Sequence, residues 1–158
     1  MKAILIHEEG GPEVLCYEDV PNPEPAAGEV LVRMRAASLN HLDVWVRKGL
    51  PSVPKPHILG ADGSGVVESV GPEVHGFEPG QPVVINPGVE HGDAIHILGE
   101  QTQGVHAELA SIPATNVYPL RDGVSFEEAA AFPLVFETAY RMLVTRSEER
   151  HVGKECRL

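Results

Sequence analysis

The sequence predicts a mainly β domain with short helices. Short apolar runs alternate with a period of two and are rich in Val and Ile. Fourteen prolines and sixteen glycines cut the chain into such runs. Only two segments carry a helical pattern with caps.

The elements follow in order. "KAILI" reads as a first strand. The proline-rich connection "PNPEPAAGE" leads into "EVLVRMRAASL", where Val30, Val32 and Met34 alternate with Leu31, Arg33 and Arg35. Ser38 to Gly49 is expected to be a helix, capped by Ser38 or Asn40 and closed by Gly49. "GSGVVESV" is a strand, "GPEVHGFEPGQPVVI" is turn, loop and strand, and "VHAELASI" is a further strand. Ser125 to Val144 is a second helical segment. Ser125 and Glu128 form a capping box, and Pro133 divides the segment into two pieces. The stretch 145–158 is dense in charge and has no period. It reads as a frayed tail, disordered or foreign to the domain that spans 1–144.

Composition excludes several classes. The 158 residues carry a net charge of -11, which argues against nucleic acids and anionic membranes as partners. The first apolar run ends at His7, too soon for a signal peptide, and no run approaches the length of a spanning helix. The two cysteines, Cys16 and Cys156, fit a reducing cytoplasm, which is the expected location.

"HILGADGSGVVESVG" holds Gly60, Gly63 and Gly65. That order is G-x-x-G-x-G, and a strand pattern follows it. A dinucleotide cradle needs G-x-G-x-x-G opening a helix. These glycines are therefore expected to serve turns and close packing.

Five blocks in order resemble the N-terminal domain of medium-chain dehydrogenases/reductases, a superfamily of zinc alcohol dehydrogenases and zinc-free quinone reductases. They run from "MKAILIHEEGGPEVLCYEDVPNPEPAAGEVLVRMRAASLNHLDVWVRKG" through "PHILGADGSGVVESVG", "GQPVVINPG" and "GVHAELASIPATNVYPL" to "GVSFEEAAAFPLVFETAYRML". The resemblance implies a GroES-like, partly open β-barrel on the substrate side of an NAD(P)-dependent oxidoreductase. The family's Rossmann domain follows this region, and the sequence stops before it. The 158 residues alone are thus expected to turn over no NADPH.

The resemblance also implies site residues. Zinc members carry a histidine where this chain has Ala61, and cysteines where it has Asn40 and Leu134. Ala and Leu supply no ligand, so no metal is expected. An unconventional zinc held by His41, Asp43, His57 or Asp62 stays open as an alternative. So does the bland reading, in which Asp43 and Asp62 cap turns and His57 sits at the surface. His91, Asp93 and His96 fit no standard zinc spacing and read as polar loop residues. Asn40, with a donor and an acceptor, is the expected catalytic group, joined by His41 and Asp43. Trp45, Leu50 and Asp62 are assigned to the substrate pocket, with core packing as the competing role for Trp45. Thr138 matches a position near the nicotinamide, and a hydroxyl bonded to its own helix is the alternative.

The leading function is a zinc-independent reductase of quinones or activated alkenes. The alternatives are a zinc alcohol dehydrogenase with atypical ligands acting on alcohols or carbonyls, and a non-catalytic GroES-like binding module. The apolar run "AAAFPLVF" invites self-association, so a homo-oligomer is open.

Overall fold

In the computed structural model, residues 1–92 and 94–145 are described. Asp93, Cys156 and the tail beyond Thr145 lie outside them. The chain runs β1 (Lys2–Ile6), β2 (Leu15–Asp19), β3 (Glu29–Ala37), α1 (His41–Arg47), β4 (His57–Ile58), β5 (Gly63–Val70) and β6 (Pro82–Ile85). It continues with β7 (Gly88–His91), β8 (Ala94–Ile97), β9 (Leu109–Pro113), β10 (Val117–Pro119), α2 (Phe126–Ala130) and α3 (Pro133–Tyr140). Three sheets result, with orders β2-β1-β4, β10-β6-β5-β3-β9 and β7-β8. Among the described residues all named pairings are antiparallel, and no sheet closes on itself. The mainly β expectation holds, as open sheets.

The core lies on the five-stranded sheet. Val30, Val32, Val67, Val83, Ile85, Ala110 and Ile112 form one buried cluster. Ile6, Val46, Val53 and Leu59 form a second, smaller one between the first sheet and α1. In β3 the alternation begins only at Arg33, because Val30, Leu31 and Val32 are all buried. Irregularities at Leu31/Val32 and Met34/Ala36 break the pairing register with β5.

The glycines of "HILGADGSGVVESVG" are spent on packing. Gly65 faces Met34 on β3, and a Cβ there would overlap the Arg33 carbonyl. Gly60 has φ +101°, and a Cβ there would meet the His106 ring. Neither position is free to cradle a phosphate.

The helices follow the capping logic. Asn40, with extended backbone angles, caps α1, and the turn ends at Gly49 with φ +83°. Ser125 Oγ accepts from Glu128 N at 3.2 Å, and Glu128 Oε2 accepts from Ser125 N at 2.9 Å. Pro133 opens α3 as its first residue, so the predicted division stands. Ser64 Oγ donates to the Phe126 carbonyl at 2.6 Å and holds α2 against β5.

Three expectations change. His57 is buried, not at the surface. It stands opposite Ile6 where β4 pairs with β1, and burial lowers its pKa, favouring the neutral ring. The segment around His91 and His96 is a hairpin rather than a loop, with Val89 paired to His96. Its base is held by Asn116 Nδ2, which donates to the carbonyls of Asn86 and Gly88 at 3.1 and 2.6 Å. Trp45 is not a core residue: it is 53% exposed, because the buried face of α1 is carried by Leu42 and Val46.

Gly65→Ala should lower the free energy of unfolding by about 1–3 kcal/mol, since the neighbour is backbone and cannot step aside. Gly76→Ala, where a Cβ meets nothing within 4 Å, should cost only the strain of φ +83°. Urea unfolding of both variants tests the contrast, and equal losses would contradict it.

Candidate functional site

The chain leaves β3 at Ala37 and turns into α1 through Ser38, Leu39 and Asn40. Asp43, three residues past the cap, reaches back so that Oδ2 accepts from Asn40 N at 2.7 Å. Its Oδ1 accepts from Gly60 N at 2.9 Å. One buried carboxylate thus joins the start of α1 to the segment before β5.

Asp62 makes the second junction. It is 0% exposed. Its Oδ2 accepts from Asn40 Nδ2 at 3.1 Å and from Ser38 Oγ at 3.4 Å, and its Oδ1 accepts from Leu134 N at 2.9 Å. Its main-chain carbonyl accepts from Ser38 N at 3.1 Å. Asn40, Ala61 and Leu134, the three positions singled out in the sequence, therefore converge around one carboxylate. Burial pushes the Asp62 pKa up, and the charge of Asp43 pushes the same way. The Asn40, Leu134 and Ser38 donors pull it back without cancelling the rise.

The other expected residues are placed as follows. His41 is exposed on α1, its ring centroid 6.1 Å from that of Trp45. Leu50 is 69% exposed. Asp43 is buried against backbone amides, so it supports Asn40 rather than meeting solvent. Thr138 is exposed on α3, one turn after Leu134. His106 was not anticipated. Its Nε2 lies 3.1 Å from the Ser38 carbonyl, and its ring fills the space beside Gly60. Sixty-eight residues separate it from Ser38, and no local spacing announces such a contact.

The donor set does not fit the zinc of metal-dependent relatives. Asn40, Ala61 and Leu134 offer an amide, a methyl and an isobutyl group, where zinc needs thiolate, imidazole or carboxylate. Asp62 and Asp43 already accept from N–H and O–H donors with both oxygens. Among the described residues no three His, Cys, Asp or Glu side chains gather to hold a metal ion. The unconventional set of His41, Asp43, His57 and Asp62 is therefore not assembled. The set of His91, Asp93 and His96 includes a residue outside the description.

The raised Asp62 pKa has a defined sign. The folded state holds this proton more tightly than the unfolded chain. The group's contribution to stability is therefore complete below the ordinary aspartate range and declines as pH rises through the raised value. Asp62→Asn should remove that decline, so that the variant loses less stability than the unaltered chain between acid and neutral pH. Thermal unfolding across pH 3–7 checks it (a range bracketing the ordinary aspartate value of about 3.9), and parallel curves would refute it.

The alcohol dehydrogenase GroES-like domain family matches residues 26–122. A crystal structure of an NAD-dependent alcohol dehydrogenase superimposes with a TM-score of 0.88 at 51% identity, covering 92% of this chain and 47% of that one. A quinone oxidoreductase of Pseudomonas aeruginosa is 39% identical over 84% of this chain and 37% of its own length. A zinc-type alcohol dehydrogenase-like protein of Schizosaccharomyces pombe is 36% identical over 92% of this chain and 45% of its own. The chain spans less than half the length of each of these relatives. No helix among the described residues is long and apolar enough to cross a membrane. Fold, matched residues and relatives agree: the chain belongs to the alcohol dehydrogenase GroES-like domain family of the medium-chain dehydrogenases/reductases.

Proposed function

We propose that this chain is the substrate side of a zinc-independent, NAD(P)H-dependent reductase of quinones or activated alkenes. The observation that carries the reading is the Asn40 amide. It stands at a zinc-thiolate position, tied to buried Asp62 and flanked by Ala61 and Leu134, which offer no metal ligand. A substrate that accepts hydride readily needs no Lewis acid. It needs a hydrogen bond to the oxygen that gains charge, and exclusion of water.

The dinucleotide is held outside these residues in this reading, since the glycines that might cradle it are spent on packing. When bound, NAD(P)H supplies the hydride. Asn40 donates its second Nδ2 hydrogen to the substrate oxygen. Asp62 fixes the amide by taking the first, and Asp43 fixes the backbone beneath it. Exposed His41 supplies the proton that completes the reduced oxygen. Trp45 and Leu50 form an apolar wall, and exposed Thr138 on α3 would help hold the nicotinamide. Loss of the Asn40 donor removes an interaction that strengthens as charge develops.

The face that carries α3 supports the same arrangement. Phe132, Val135, Phe136 and Tyr140 are exposed, and the Phe132 and Phe136 rings stack at 4.3 Å. A groove of about 630 Å³ between this helix and Val84, Asn86 and Tyr118 extends the apolar surface. We place the nicotinamide-binding part of the whole protein against it. A cytoplasmic location and small-molecule rather than nucleic-acid or membrane partners belong to this proposal.

In the whole protein, Asn40→Ala should lower kcat/KM for a quinone by roughly 100-fold. A strong chelator should leave activity unchanged. Loss of activity with chelator and its return with zinc would favour the zinc alcohol dehydrogenase reading instead. For the 158 residues alone, no NADPH oxidation by quinone is expected. Self-association through the α3 face should appear in sedimentation as a mass that rises with concentration. Phe136→Glu should abolish that rise, and an unchanged profile would remove α3 as the contact.

A further inference from the structure

Leu50 lies in the connection from α1 to β4, which spans 48–56. The backbone of this connection is sparsely tied. Pro51, Pro54 and Pro56 bring no N–H. Among the described residues, no backbone–backbone hydrogen bond involves 51–56. The last such bonds run from Gly49 N to the Val46 carbonyl at 2.9 Å and from Leu50 N to the Trp45 carbonyl at 2.8 Å. Beyond them, Val53 enters the small core with Ile6, Val46 and Leu59. Side chains must therefore locate the rest of the stretch.

Glu9, in the connection between β1 and β2, does so. Its Oε1 accepts from Ser52 Oγ at 2.6 Å and from Lys55 Nζ at 2.8 Å. Lys55 Nζ also donates to the Val53 carbonyl at 2.9 Å. The same carboxylate lies against Gly49, where a Cβ would overlap it. Gly49 has φ +83°, so its backbone and its neighbour both call for glycine. Gly10, next to Glu9, donates its N–H to the Arg47 carbonyl at the end of α1, at 3.0 Å. The Lys55 ammonium first, and the Ser52 hydroxyl second, hold the Glu9 carboxyl below the ordinary glutamate range.

An exposed ion pair adds little to global stability. The worth of this one is positional, because it fastens a stretch whose backbone is otherwise unpaired.

The geometry points to Glu9 as a positioning residue for the substrate wall, a role that rests on the reductase reading of Trp45 and Leu50. Its carboxylate holds 49–55 against the end of α1, so that Leu50 keeps its place after the turn that carries Trp45. Without it Leu50 samples more positions, and substrate meets a looser wall. Glu9 acts through Leu50 and not on the reacting atoms.

Amide exchange in the 158-residue chain tests the tether, and quinone kinetics in the whole protein test its use. Glu9→Ala should speed exchange at Gly49 and Leu50 roughly tenfold, while the melting temperature moves by less than about 2 °C. It should raise KM for a quinone roughly fivefold and leave kcat within about twofold, since the wall binds substrate and transition state alike. Glu9→Gln keeps an oxygen for Ser52 and Lys55 and should reverse most of both effects. Unchanged exchange in Glu9→Ala would overturn the tether. Faster exchange with an unchanged KM, or with a fall in kcat instead, would overturn the positioning role. A whole protein that reduces no quinone would remove the reductase reading and the positioning role with it, while the exchange rates still decide the tether.

Discussion

Everything around the candidate site depends on the burial of one carboxylate. Asp62 has no contact with solvent, and a buried carboxylate is tolerated only when donors surround it. Those donors are three residues from two distant parts of the chain: Ser38 and Asn40 before α1, and Leu134 in the first turn of α3. The acid therefore does for this site what a metal does elsewhere. It collects distant segments and sets the direction of the Asn40 side chain. Asp43 repeats the device, with the Asn40 and Gly60 amides as its donors.

The elements legible in the sequence were those with local causes. Helix caps, the Pro133 break and the strands of the main sheet follow from residues within a few positions of one another. The three substituted zinc positions were legible through resemblance, and Asp62 joins two of them physically. What escaped were contacts over long separations. A surface position for His57 is one reading of a polar residue that directly follows Pro56. Its burial depends on pairing with Ile6, fifty-one positions away. Trp45 was weighed as core because it is large and apolar, but α1 turns Leu42 and Val46 inward and leaves Trp45 outside. His106 carries no spacing signal, and only the assembled fold brings its ring beside Gly60 and its Nε2 to the Ser38 carbonyl.

The glycines of "HILGADGSGVVESVG" show how composition can mislead where geometry does not. Three of them look like a phosphate loop, yet each answers a steric demand. Gly65 lets β5 lie against β3 at a register irregularity. Gly60 adopts a left-handed conformation that presents its amide to Asp43 and leaves room for the His106 ring. Close packing against neighbouring backbone and side chains is the common cause.

The position of Trp45 has a practical consequence. It is the sole tryptophan of the chain, it is half-exposed, and its ring lies near His41 at the edge of the proposed substrate wall. Its indole emission therefore reports on one location. Any ligand or protein surface that covers α1 must shift that emission toward the blue as water leaves the ring. The site thus carries its own optical probe, with no label and no competing signal from a second tryptophan.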